Sequence, residues 1–236
     1  MEQSCRASTQ LQAASFDDAQ LQGASLEGAQ LAGATFRNAQ LQGVPFTHAQ
    51  AQYTLFSKVF VWRAHPPDTA TKGIRVIAPE IHPIYQGLEC PAQATCNWSV
   101  RSVETLRAVI DRWVLPEDRH KALERIAALV PTQPTSLPTV LEAAWIDLAQ
   151  KSHDDEKDLA DWLQKIGCRE AGAPYVLHGI VHHLDSRFRE ASPQLVELAK
   201  SFLDVKKCDG APGLSERNKF DLQELIAASP SPTTSP

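Results

Sequence analysis

Leu or Phe recurs at every fifth position near the start of the chain: Leu11, Phe16, Leu21, Leu26, Leu31, Phe36, Leu41 and Phe46. The register passes a weak Ala51 and recovers at Phe56. Two positions before each centre stands a small residue: Ala14, Ala19, Ala24, Ala29, Ala34 and Ala39, then Val44 and Ala49. An amphipathic helix needs apolar spacings of three and four, and a half-buried strand needs alternation. A period of five satisfies neither. It predicts a square coil in which each five-residue unit makes one side and turns its large and small apolar residues toward the axis. Residues twenty apart then stack, with backbone hydrogen bonds between coils at ~4.8 Å. About ten units would give roughly 2.5 turns, a column only ~12 Å tall.

The units Ala19-Gln20-Leu21-Gln22-Gly23, Ala24-Ser25-Leu26-Glu27-Gly28 and Ala29-Gln30-Leu31-Ala32-Gly33 resemble the pentapeptide-repeat family, whose pattern is A(D/N)LXX. That resemblance implies a right-handed quadrilateral β-helix. The residue before each centre departs from the family pattern, being Gln10, Gln20, Gln30 and Gln40, or Ser15, Ser25 and Thr35. With a twenty-residue turn, Gln10, Gln30 and Gln50 fall on one face, and Gln20 and Gln40 on the opposite face. Stacked neutral amides can hydrogen-bond to one another along a column, and these glutamines are also the candidate interaction face.

A short stack exposes both ends, because each repeat buries its apolar face only against its neighbours. Val59-Phe60-Val61-Trp62, apolar and β-prone, is the expected lid at the C-terminal end. Residues 1–8 carry neither a repeat nor an amphipathic helix. The open N-terminal end therefore points to self-association, or to a chain that is the tail of a longer protein. A narrower resemblance bears on this. Ala39-Gln40-Leu41-Gln42-Gly43 followed by Val59-Phe60-Val61-Trp62-Arg63 is similar to bacterial membrane-anchored pentapeptide proteins, which implies an upstream tether.

The expected organisation is a repeat column with its lid over 9–63, a Pro-rich ordered linker over 64–98, a helical domain over 99–228 and a disordered tail over 229–236. Pro66, Pro67, Pro79, Pro83 and Pro91 forbid long regular elements in the linker. Helical spacing then recurs. Ser102 is the expected N-cap before Val103, Leu106, Ile110 and Trp113, and Pro116 opens a second helix. Ser136-Pro138 starts a third, Asp154 or Asp155 a fourth ending at Gly167, and Pro174, Pro193 and Ser215 three more. The fold class expected is mixed β and α, a short column followed by an all-α domain.

Composition narrows the chemistry. Of 236 residues 43% are hydrophobic, and the formal net charge of −5 comes with no basic patch, so general nucleic-acid binding is not expected. No secretory signal or membrane-spanning run is evident. Five scattered cysteines, Cys5, Cys90, Cys96, Cys168 and Cys208, suit reduced cytosolic thiols. Cys90 and Cys96, flanking a Pro-containing loop, could pair if the region met an oxidising compartment, and Cys168 with Cys208, which flank a helical pair, is the other candidate disulfide. GxSxG, P-loop, GxGxxG, HExxH, CxxC and EF-hand patterns are absent. One enzymatic candidate remains: His178 and His182, one helical turn apart with Asp185 continuing the face, could hold a divalent metal. No cofactor is expected.

These features favour a non-catalytic scaffold or protein–protein interaction module with an unnamed protein partner, cytoplasmic or tethered to a membrane upstream. Two alternatives stand beside it. Relatives that mimic DNA bind type II topoisomerases, but such mimicry needs a long column with acidic rows, and up to Phe56 only Asp17, Asp18 and Glu27 add carboxylates to the column. The other alternative is a metal-dependent hydrolase built on the His178–His182 helix.

Overall fold

The period of five folds as a turn repeated at every side. In the computed structural model, which describes residues 9–68, 70–91, 94, 96–130, 140–152, 156–169 and 193–228, every fifth residue from Ala13 to Arg63 has positive φ, as do Gly73 and Ala78. Each stands two positions after a centre, apolar in every case but Thr71 before Gly73. Between turns, residues twenty apart pair in parallel: Gln10 with Gln30 and Gln30 with Gln50, then Gln20, Gln40, Phe60 and Glu80 in one line. Three short strands, β1 (Thr35–Arg37), β2 (Leu55–Ser57) and β3 (Arg75–Ile77), form one sheet in chain order. Strands β2 and β3 keep the same register, Leu55 opposite Arg75 and Phe56 opposite Val76.

This register continues to Glu80, past the 9–63 span expected from the centres, so residues 64–80 are stack and not linker. Val59-Phe60-Val61-Trp62 is likewise no lid. Phe60 pairs with Gln40 on one side and Glu80 on the other, and Val59 and Val61 are fully buried within the stack.

The interior is the set of centres. Leu31, Phe36, Leu41, Phe46 and Phe56 are fully buried and Leu26 is nearly so. Leu11, Phe16 and Leu21, in the first level, are half-buried. Phe16, Phe36 and Phe56 stack face to face at 4.9 and 5.0 Å, the spacing of the levels themselves. Burying such a side chain contributes about 1.5–3 kcal/mol, and an aromatic pair about 0.5–1.5 kcal/mol more. On the surface the same spacing brings Asp17 to Arg37 at 3.1 Å and Asp18 to Asn38 at 3.1 Å.

The top of the stack is closed by a helix. In the lower levels the amides of Gly23 and Gly43 donate to the carbonyls of Gln42 and Trp62, one level on. The next amide in that series, Arg63, donates instead to Glu142 Oε1 at 2.8 Å. The Val76 amide donates to Ser152 Oγ at 3.0 Å, and the Ala64 carbonyl accepts from Trp145 Nε1 at 3.0 Å. Glu142 and Trp145 lie on α3 (Val140–Lys151), and Ser152 follows it directly. Trp145, fully buried, also sets its ring edge-on to Phe46 and Phe56. Backbone groups left unpaired at the end of a sheet are costly when buried, and α3 satisfies three of them from one side.

One flank carries a helical pair. A two-stranded antiparallel hairpin, β4 (Ile84–Tyr85) and β5 (Cys96–Asn97), leads into α1 (Val100–Trp113) and α2 (Pro116–Ala127). The N-cap of α1 is Ser99 rather than Ser102. Ser99 and Ser102 form a reciprocal capping box, which puts the first turn three residues earlier than the apolar spacing suggests. Pro116 opens α2 as expected. Trp62, Tyr85, Trp98, Leu106, Ile126 and Leu129 pack in one cluster joining stack, hairpin and helices. The fit needs glycine. A Cβ on Gly43 would come within 2.6 Å of Leu129, and one on Gly23 within 2.9 Å of Ile126.

The chain divides into two compact units, the second built mainly from residue 154 onward together with Gln12–Ser15 and Gly33–Thr35. In it α4 (Glu156–Gly167) packs on α5 (Pro193–Leu203), and α5 on α6 (Glu216–Ala228). Leu163, Ala199, Phe202 and Leu222 are fully buried. Ser215 caps α6, its hydroxyl accepting from the Asn218 amide at 3.1 Å. The helix expected at Pro174, residues 1–8 and the tail over 229–236 lie outside the described residues.

Candidate interaction surfaces

The glutamines singled out by the repeat meet different surroundings. Gln10 and Gln50 are exposed and Gln30 is half-buried, all three in one parallel line. Gln20 is exposed, but Gln40 above it is only 5% exposed, its Oε1 accepting from Gln42 Nε2 at 2.9 Å. The face of Gln20 and Gln40 is therefore partly consumed by the fold. Missed from the sequence were Gln22 and Gln42, one position after the centre and both buried. Gln42 Nε2 also donates to the Ile84 carbonyl at 2.8 Å, anchoring the β4–β5 hairpin to the stack. Gln22 Nε2 and Gln42 Oε1, a donor and an acceptor one level apart, have no hydrogen-bond partner. Nothing in a five-residue period distinguishes an amide that faces water from one that faces a helix.

Two sides of the first unit stay open. Asp18, Asn38, Lys58 and Ala78, the turn residues of one corner, are all exposed. At another corner Glu27 and His48 are exposed, and a Cβ on Gly28 would meet no atom within 4 Å. Charges on the first corner run from Asp17 and Asp18 to Arg37 and then Lys58, so acids are answered by bases one or two levels up. This is not the row of carboxylates that imitation of a phosphate backbone requires.

The residues proposed for metal chemistry, His178, His182 and Asp185, lie outside the described residues, and among the described residues no cluster of three or more metal-ligating side chains occurs. The described cysteines are paired. Cys90 joins Cys96 across the β4–β5 hairpin, and Cys168 joins the fully buried Cys208. Thiolate ligation by these four is thereby removed, and the expectation of reduced thiols is corrected. Beside the Cys90–Cys96 bridge lies a cavity of about 500 Å³ bordered by Tyr85, Glu89 and Arg101. Arg101 Nε and Glu89 Oε2 meet there at 2.7 Å. Burial, and then the Glu89 carboxylate, raise the Tyr85 pKa above its ordinary value.

Residues 14–49 match the family of pentapeptide repeats, in eight copies. The chain carries pentapeptide repeats. The match covers the stacked levels whose interior is lined by the Leu and Phe centres, and the pairing at twenty residues runs beyond it on both sides. No curated protein matches the chain. Among the described residues no helix is long and apolar enough to cross a membrane.

Proposed function

We propose that the repeats form a right-handed quadrilateral β-helix over residues 9–80, and that this column is a non-catalytic scaffold presenting its open sides to a protein partner. The observation that carries this reading is the unbroken twenty-residue register with two exposed corners. The regular side chains build a rigid surface, and repeat proteins use such surfaces for binding. Pairing by backbone hydrogen bonds fixes the positions of the exposed residues, so a partner would meet a surface whose shape is set in advance.

The test is affinity capture from native-source lysate, including detergent-solubilised membrane, with three full-chain baits. One is unaltered, one carries Gln10→Glu with Gln50→Glu, and one carries Asn38→Glu with Lys58→Glu. All four positions are exposed, and circular dichroism checks that each altered bait keeps the fold, since Asn38→Glu gives up the hydrogen bond to Asp18. The expected result is a protein held by the unaltered chain and lost from one altered bait. A set of captured proteins identical across all three baits would rule these sides out as the binding surface and remove the support for a scaffold.

We also place the chain in an oxidising compartment. Two disulfides persist where thiols are not kept reduced, which is outside the ordinary cytosol. Alkylation of the native-source chain under denaturing, non-reducing conditions is expected to modify Cys5 at most. Modification of Cys90, Cys96, Cys168 and Cys208 before any reductant is added would reverse the assignment.

A further inference from the structure

The two disulfides differ in what can reach them and in what they hold. Cys90 and Cys96 stand six positions apart, and both are half-buried. Both also border the cavity of about 500 Å³ described above, which gives an incoming group a way to the sulfurs. Cys168 and Cys208 stand forty positions apart, and Cys208 is fully buried. Thiol–disulfide exchange begins when a thiolate reaches one sulfur of the bridge, so access selects the bridge that reacts. A bridge that closes a short loop also restrains the unfolded chain less than one that closes a long loop. What Cys90–Cys96 holds is therefore local.

It holds the outer end of the β4–β5 hairpin. The two strands pair over only two residues each, Ile84 opposite Asn97 and Tyr85 opposite Cys96, too few to be stable alone. The inner end is fixed by other means: the Ile84 carbonyl accepts from Gln42, the Trp98 amide donates to the Pro83 carbonyl at 2.7 Å, and Tyr85 and Trp98 are buried in the flank cluster. At the outer end the Glu89–Arg101 ion pair is the other tie to the flank, with side chains 51% and 80% exposed. Exposed pairs of this kind contribute little. Directly after the hairpin comes Ser99, the N-cap of α1.

We propose that Cys90–Cys96 is a thiol–disulfide exchange site, opened by a dithiol reductant while Cys168–Cys208 stays closed, and that its reduction releases the outer end of the hairpin. A thiolate of the dithiol attacks one bridge sulfur, the bond between the two cysteines breaks, and the other sulfur leaves as a thiolate that takes up a proton. The second sulfur of the dithiol then displaces the first from the mixed disulfide. Two electrons and two protons pass to Cys90 and Cys96, and the dithiol becomes a disulfide. The inner end, held by packing and by Gln42, keeps its place.

The test is limited reduction of the oxidised full chain by dithiothreitol under native conditions, with free thiols alkylated and located by peptide mass spectrometry. Cys90 and Cys96 are expected to label about tenfold or more faster than Cys168 and Cys208. On the same samples hydrogen exchange should speed about tenfold at the Cys90 and Cys96 amides and stay unchanged at Leu41 and Val61 in the stack. Cys90→Ser with Cys96→Ser should show the faster exchange without reductant and no further response to it. Labelling of the two bridges at one rate, or of Cys168 and Cys208 first, would overturn the proposal. So would reduction of Cys90–Cys96 that leaves exchange in the hairpin unchanged. Neither result bears on the scaffold reading, which the capture experiment tests separately.

Discussion

Replacing Leu31 with Asp is expected to destabilise the first unit by more than about 4 kcal/mol. Leu31 is fully buried among the centres, and the Thr54 hydroxyl already occupies its carbonyl at 2.9 Å. An aspartate there has no cation to meet: the centres around it are Leu and Phe. The carboxylate must be buried unpaired or stay protonated, and the apolar contacts of Leu are lost as well. Together these place the cost above about 4 kcal/mol, in the tail of point-mutant effects. For a chain of this size each kcal/mol moves the midpoint by about 2–4 °C, so a loss of roughly 10 °C or more is expected by thermal scanning. Leu31→Met, which conserves volume, should cost under about 1.5 kcal/mol. An unchanged transition in Leu31→Asp would mean that Leu31 does not face a column axis, and the stacked arrangement would fall with it.

The interior of the column was legible because its signal is local. Each centre repeats the same residue class at the same spacing, and period five excludes both common elements. The signal faded after Phe56 for a physical reason. The later levels place Val61, Pro66, Thr71 and Val76 at the centre positions, and the turn position that carries Gly23 and Gly43 in earlier levels carries Arg63. Backbone pairing tolerates these substitutions, since it asks only for extended segments and a residue that can adopt positive φ. A side-chain pattern therefore ends before the backbone register does. Of the prolines that argued for a linker, Pro66, Pro67 and Pro79 fall within the stack, whose register runs on through His65 opposite Pro45 and Glu80 opposite Phe60.

The surfaces were less legible than the fold. Gln20 and Gln22 look alike in sequence, yet one is exposed and the other buried, and the difference is the helix α2 that arrives about a hundred residues later. The disulfides show the same limit. Cys90–Cys96 and Cys168–Cys208 were the pairs that sequence proximity and helix pairing brought forward, but only the folded chain puts Cys168 and Cys208 within 4.5 Å at their Cα atoms. Pairing cannot be deduced from spacing alone, and the compartment argument pointed the other way. The Ser99–Ser102 box was half legible: both serines were present, and the choice between them depended on a backbone turn that apolar spacing does not report.

Trp145 is where the column's end is decided. Nothing in the repeat announces it, since it lies on a helix ~80 residues beyond the level it covers, at ordinary helical spacing from Leu141 and Leu148. Its ring closes over Phe46 and Phe56, and its Nε1 supplies the donor that the Ala64 carbonyl would otherwise take from a further level. Trp145→Ala removes both. The cavity and lost burial cost about 3–5 kcal/mol, and the fully buried Ala64 loses its carbonyl's donor at about 1 kcal/mol more. Trp145→Phe separates the two contributions, keeping most of the ring and giving up the hydrogen bond, with an expected cost of about 1–2 kcal/mol. Chemical denaturation of the two variants should rank them in that order, with the larger loss in Ala. Hydrogen exchange should speed most at Arg63 and Val76, whose amides α3 holds through Glu142 and Ser152. If Trp145→Ala costs under about 1 kcal/mol, well below the range for a buried tryptophan, the helix only rests against a column that is stable without it. A cost in the full range makes α3 the structural end of the repeat, and explains how so short a stack can hold its shape.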